Sequence, residues 1–227
     1  MAAVSQGMRQ GLNDKPVQLL QSAGIVFWDF DGVIKDSVEV KSDAFERLFV
    51  SRGKSVSDQV RKHHEANGGM SRFDKMPIYL AWAGEPITPE KIHEYCSRFS
   101  ENVQQAVIDA PWVPGVREYL LKNHTTQRFV LVTATPHKEM EHILAALALT
   151  HCFQEIHGAP TKKAEAIREV LARWQISATQ ALMVGDSDSD CKAAQANRVA
   201  FLLRCTSLNQ SLQQRHVGLR FEELNYE

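Results

Sequence analysis

Two aspartates stand one residue apart in Asp29-Phe30-Asp31-Gly32-Val33, directly after an apolar run. Side chains alternate along an extended strand, so the two carboxylates project to the same side. Like charges this close, at the end of a buried strand, repel each other and are costly to take out of water. A hard cation is the usual compensation. The same residues also read as an Asp-Gly turn, with Asp31 a turn residue and Asp29 a helix cap. Alone, the segment does not choose between the two.

A second acidic run, Gly185-Asp186-Ser187-Asp188-Ser189-Asp190, follows the apolar Met183-Val184. Acids in a first helical turn are favoured by the helix dipole, which accounts for Asp188 or Asp190. It accounts less well for Asp186, at the strand's end. Two strands that each end in acids point to a metal site shared at one sheet edge. Thr133 closes a third apolar run, before Ala134-Thr135-Pro136. A hydroxyl beside backbone N–H groups at a helix N-terminus makes a cradle for a phosphate or an oxyanion. Thr135 reads more simply as an N-cap, and Thr133 does not. Lys162 and Lys163 open a later helix, where cations oppose the dipole. Lys163 shares a face with Ile167, Val170 and Trp174 and so points toward the sheet. A local rule broken at a strand's carboxyl edge marks a place where function tends to sit. Lys162 fits a solvated surface residue.

These residues need a frame to position them. Gly24–Trp28, Arg128–Val132, Ala181–Val184 and Val199–Leu203 are near-continuous apolar runs, as strands buried on both faces require, and Phe153–Ile156 is a shorter fifth candidate. Met140, Ile143, Leu144 and Leu147 make one helical face, with Pro136 suited to its first turn, and Ile167, Val170, Leu171 and Trp174 make another. The alternation implies an α/β fold, a Rossmann-like three-layer parallel sheet that binds ligands at the carboxyl ends of its strands. From about Asp36 to Ala110 the alternation lapses. Ala44, Phe45, Leu48 and Phe49 form one helical stripe and Ile92, Tyr95, Cys96 and Phe99 another, with breaks at Gly68-Gly69 and from Gly84 to Pro89. Residues 1–35 and 111–227 are therefore expected to form the core, and residues 36–110 an all-helical insert.

The chain of 227 residues carries 26 Lys and Arg against 27 Asp and Glu, so it has no broad basic field for nucleic acid or an anionic membrane. No apolar run is long enough to span a bilayer, and Met1 to Ala23 lacks the apolar core of a signal peptide. Cys96, Cys152, Cys191 and Cys205 follow no zinc-knuckle or CxxC spacing, which fits reduced thiols in a cytoplasmic protein.

The motifs together, in this order, resemble those of the haloacid dehalogenase-type phosphatase superfamily over essentially the whole chain. Asp29-Phe30-Asp31-Gly32-Val33 resembles its first motif, Thr133 its second, Lys163 its third and Gly185-Asp186-x-x-x-Asp190 its fourth. The insert resembles the family's small helical cap, and Pro114-Gly115-Val116 the return to the core. The resemblance implies that Asp29 attacks phosphorus to form an aspartyl-phosphate, while Asp31 protonates the leaving alcohol and then activates water. It implies Mg2+ held by Asp29, the backbone carbonyl of Asp31 and Asp186, with Asp190 orienting the cluster directly or through water. Thr133, the N–H of Ala134 and Lys163 would neutralise the transferring phosphoryl oxygens.

Asp31 argues for phosphate esters, because the dehalogenases and phosphonate-cleaving members lack an acid there. Gly68-Gly69-Met70-Ser71-Arg72 resembles the cap loop of β-phosphoglucomutases, which makes Ser71 and Arg72 candidates for substrate choice. Ser71 also reads as an N-cap and Arg72 as a solvated arginine. Lys41 stands about where those mutases carry a cap histidine, and Asp186-Ser187 replaces their adjacent acids. Both departures favour a hydrolase over a mutase. Lys41 and Lys75 are set to meet an anionic leaving group, or else lie at the surface. The expected partner is a small phosphorylated metabolite, phosphoglycolate or a sugar phosphate, met by a monomer or homodimer. A non-catalytic phosphate-binding protein is the reading the intact motifs disfavour.

Overall fold

The computed structural model describes residues 15–226. Residues 1–14, which belong to the stretch read as lacking a signal peptide, lie outside the described residues.

Helix α1 (Lys15–Ser22) leads into β1 (Ile25–Trp28), every residue of which is buried. Six strands form one parallel sheet in the order β3-β2-β1-β4-β5-β6. β1 lies between β2 (Arg128–Pro136) and β4 (Ala181–Gly185), with Phe27 opposite Val130 on one side and Met183 on the other. The pleat splits β1 between two apolar layers. Val26 and Trp28 pack into one, with α6 (Val116–Asn123) and α7 (His137–Ala146); Ile25 and Phe27 pack into the other, against α8 (Lys163–Trp174) and α9 (Asp188–Ala196). Burial on both faces is why these strands read as unbroken apolar runs. The chain winds from β1 out to β3 and then crosses to β4, so the strand order reverses beside β1. Clefts form at the carboxyl edge at such a point.

Four local readings need correction. The fifth strand, expected at Phe153–Ile156, is β3 (Glu155–Ala159), because Thr150–Cys152 makes a turn of 3-10 helix first. β2 does not end at Thr133 but runs to Pro136, which pairs with Ala159. Pro136 therefore precedes α7 rather than occupying its first turn, and Thr135 lies in the strand instead of capping the helix. β5 (Ala200–Arg204) is followed by α10 (Gln210–Arg215) and β6 (Arg220–Phe221), whose two residues are too few to show a period.

Between β1 and β2 the chain passes through α2 (Val38–Phe49), α3 (Lys54–Ala66), α4 (Arg72–Trp82) and α5 (Pro89–Asp109). Their shared core is aromatic: Phe45 stacks on Phe99 with centroids 3.9 Å apart, and Phe49 on Tyr95 at 5.3 Å. The outgoing and returning linkers lie side by side, joined by Asp36 N–H to the Pro111 carbonyl at 2.8 Å and Val113 N–H to the Ile34 carbonyl at 3.1 Å. Among the described residues no helix is long and apolar enough to cross a membrane.

Candidate active site

Asp29 extends β1 by one rung, its N–H donating to the Val184 carbonyl at 3.0 Å. One of its carboxylate oxygens accepts the Phe30 N–H at 2.8 Å, and the other meets Lys163 Nζ at 2.6 Å. Lys163, the first residue of α8, also bonds Asp190 Oδ1 at 2.6 Å. Burial would depress this ammonium, but Asp190 and Asp29 outweigh it and hold its pKa above the usual lysine range. The cation that opposes its helix dipole is thus kept by two carboxylates.

Asp190 serves two partners with its two oxygens. Oδ2 accepts the Ser187 N–H at 3.1 Å and the Ser187 hydroxyl at 2.5 Å, closing a capping box at the start of α9, and Oδ1 faces Lys163. Asp190 thus caps α9 and faces Lys163 at the same time. Asp188 pairs with Arg215 at 3.1 Å at the rim of the cleft, outside the Asp29–Asp186–Asp190 cluster.

Asp29, Asp186 and Asp190 each place one oxygen within 4.8 Å of the others. Burial, followed by the neighbouring Asp190 and Asp31 charges, pushes Asp29 up to about 7 against the pull of Lys163. Burial and then Asp29 lift Asp186 well above the carboxylate range. Three buried carboxylates share one ammonium here, and every spare donor is oxygen, which is the chemistry of a site for a hard divalent cation. The loop after β1 approaches closely enough to complete it. Gly32 has φ +73°, and a Cβ there would stand 2.1 Å from Asp186 Oδ2. Asn209 Nδ2 donates to the Asp186 carbonyl at 2.7 Å and fixes that turn from the far side.

Asp31 has different neighbours. Its carboxylate accepts from Ser37 Oγ at 2.6 Å, Lys41 Nζ at 2.5 Å and Thr135 Oγ1 at 3.2 Å, and Lys41 also bonds Thr135 at 2.8 Å. Burial would raise its pKa, but Lys41, with the Ser37 and Thr135 hydroxyls, holds it below the usual value. With its side chain committed, Asp31 has its backbone carbonyl left for a cation. Thr133 is buried, its hydroxyl accepts the Thr135 N–H at 3.2 Å, and it lines the cleft with Ala134.

The cleft, about 460 Å³, is closed on its far side by the helical insert. Lys41 and Lys75 are buried rather than at the surface, Lys75 with Nζ 2.8 Å from His64 Nδ1. Burial, then the Lys41 charge, pulls Lys75 down to about 7, and the same burial together with Lys75 keeps His64 neutral. Arg72 is buried too, not solvated. Its guanidinium grips Glu139 of α7 at 2.6 and 2.9 Å, and both contact Ser100. Ser71 caps α4, accepting the Phe73 N–H at 3.2 Å, and is not among the residues that wall the cleft.

Ser37, His64, Thr135, Glu139 and Asn209 were not legible as site residues. Only Ser37 has a local cue, a hydroxyl shortly after the Asp pair. The others act through partners remote in sequence.

The chain is 26% identical over 192 residues to the phosphoglycolate phosphatase of Colwellia psychrerythraea, covering 79% of this chain and 83% of that protein. It is 27% identical over 183 residues to the phosphoglycolate phosphatase of Vibrio cholerae, covering 77% and 81%. The fold superposes on β-phosphoglucomutase from Clostridium difficile with a TM-score of 0.69 at 15% identity, over 89% of this chain and 92% of that one. The family model for haloacid dehalogenase-like hydrolases matches residues 26–203, and the chain belongs to that family.

Proposed function

We propose that this protein is a Mg2+-dependent phosphatase that hydrolyses a small phosphate monoester through an aspartyl-phosphate on Asp29. One observation carries the reading. The two acids of the Asp29/Asp31 pair have separate surroundings: Asp29 lies in the oxygen-rich cluster with Lys163, while Asp31 is held ionised by Lys41, Ser37 and Thr135. A nucleophile and an acid–base need that separation.

Asp29, Asp186 and the Asp31 backbone carbonyl would hold Mg2+, with Asp190 orienting them. When bound, the cation supplies charge to keep Asp29 ionised and to offset the phosphoryl oxygens. In the first step an Asp29 oxygen attacks phosphorus as the bond to the leaving oxygen breaks. That oxygen takes its proton from the Asp31 carboxyl, which draws it from Lys41 Nζ along their 2.5 Å hydrogen bond and returns it there after the second step. In the second step a water oxygen attacks the phosphorus, Asp31 accepts the water's proton, and Asp29 is released. Lys163, the Thr133 hydroxyl and the Ala134 N–H receive the equatorial oxygens. Residues 36–110 act as the cap that excludes water during the first step.

Phosphoglycolate is favoured over a sugar phosphate. Lys75 is a buried amine at the cleft, drawn down to about 7 by burial and hydrogen-bonded to neutral His64, and a carboxylate on the leaving group would favour its charged form. The names of the curated relatives point the same way. A β-phosphoglucomutase-type reaction is disfavoured, since the arginine that would receive a second phosphoryl group is spent on Glu139. The four free cysteines fit a cytoplasmic enzyme. The test is phosphate release from phosphoglycolate and a panel of sugar phosphates with Mg2+ and with chelator. Asp29→Asn should lose at least about a thousandfold in kcat. Full activity in that variant would remove Asp29 as nucleophile, and isomerisation without phosphate release would make the enzyme a mutase.

A further inference from the structure

The amino ends of β2 and β3 carry a second group of metal-binding side chains, of a different chemical kind. His124 follows α6 just before β2, and His151 and Cys152 lie in the turn of 3-10 helix before β3. The strands are parallel, so this group sits at the sheet edge opposite the catalytic acids. One donor atom from each of the three residues lies within 4.8 Å of the others. His151 Nε2 is 3.7 Å from Cys152 Sγ. Two ligands of a tetrahedral Zn2+, at bond lengths of about 2.0–2.1 Å to nitrogen and 2.3 Å to sulfur, stand about 3.6 Å apart. The imidazoles of His124 and His151 meet at nearly right angles, with centroids 4.9 Å apart.

The surroundings orient the donors. His124 Nδ1 is 3.0 Å from the Leu121 carbonyl, to which it donates, so Nε2 is the nitrogen left for a cation. Metal-binding histidines are commonly fixed in this way. Gln154 ties the two segments together, accepting the Phe129 N–H at 2.6 Å and donating to the His124 carbonyl at 3.4 Å. Cys152 is fully buried, His124 partly buried and His151 exposed, so the donors step outward from the thiol to solvent.

We propose that His124, His151 and Cys152 form a second metal site, for a borderline-soft divalent cation of the Zn2+ class. The two nitrogens and one sulfur suit such an ion and not Mg2+, which takes oxygen donors. Binding forms metal–Sγ and metal–Nε2 bonds and releases the Cys152 thiol proton to water. A water completes the fourth position, and the ion clamps the α6–β2 turn to the α7–β3 turn.

Co2+ titration of the chelator-treated, full-length protein tests the site. The expected result is a strong near-ultraviolet absorption from a cobalt–thiolate bond, displaced by one equivalent of Zn2+. Cys152→Ser and His124→Ala should lose it. His151→Ala, at an exposed position that cannot unsettle the core, should also lose it while keeping the wild-type rate of phosphate release. Asp29→Asn should retain it, which separates this site from the catalytic one. Absence of the thiolate band in the wild-type protein, or its survival in Cys152→Ser, would overturn the assignment.

Discussion

Lys41 of the insert stands 2.5 Å from Asp31 of the core, and the same ammonium is 2.8 Å from Thr135. Asp31, the residue proposed as acid–base, is thus held by a cation from the opposite wall of the cleft, and the insert helps to keep it ionised. Lys41→Met should lower kcat by about 10²–10⁴, the range for a lost acid–base group, with a smaller effect on KM. Adding Asp31→Asn to that variant should cost little more, because the two act as a unit. Steady-state kinetics of the double-mutant cycle would measure this. Additive losses would mean that Lys41 acts on the substrate rather than through Asp31.

Asp29, Asp31, Asp186 and Lys163 could be found from sequence because each stands at the end of an apolar strand or breaks a local helix rule. The strands could be found because burial on both faces leaves unbroken apolar runs. Thr135 reads as a cap for the same reason that β2 reads as ending at Thr133: Ala134-Thr135-Pro136 looks like a helix start, and only pairing to Ala159 keeps it in the sheet. The sequence leaves Arg72 and Lys75 open between a site role and the surface, because lysine and arginine are seldom buried. What buries them, Glu139 and His64, is 67 and 11 positions away in sequence.

Lys75 gives stability a pH dependence of definite sign. Its pKa is about 7 in the folded protein against an ordinary 10.5. Across that window the unfolded chain binds a proton that the folded chain does not, so stability rises with pH. Below it the buried charge destabilises the fold in full. Lys75→Met should therefore be more stable than wild type at pH 6, and its advantage should shrink toward pH 10. Urea unfolding at a series of pH values would show this, and an advantage independent of pH would contradict it. The same variant should have a higher KM for phosphoglycolate.

Arg72 and Glu139 form a buried pair between insert and core, with side chains only 4% and 9% exposed. Removing one partner strands a charge, so Arg72→Met or Glu139→Leu alone should cost about 3–5 kcal/mol. The double variant should be distinctly more stable than either single one. Chemical denaturation of the four proteins would give the coupling. Simple additivity would mean that the pair does not hold the insert to the core.

Gly69, in the insert's loop, lies hard against the start of α9. A Cβ at this position would stand 1.7 Å from Ser189 Oγ, 2.6 Å from Ser189 Cβ and 2.8 Å from Ser187 Oγ. Gly69→Ala must therefore push the loop away from the start of α9. Overpacking of this kind costs about 1–3 kcal/mol. Gly68 and Met70 also wall the cleft, so KM should rise along with the loss of stability. Ser189→Gly removes the two nearest atoms and should restore much of both. The rescue should be incomplete, because Ser187 Oγ remains in the way. That hydroxyl is held at 2.5 Å by Asp190, which in turn holds Lys163, so it cannot yield without loosening the Asp190–Lys163 contact. Stability and KM measured on the single and double variants would separate the two clashes: full rescue by Ser189→Gly would show that Ser187 can move, and no rescue would show that the loop is not seated on α9.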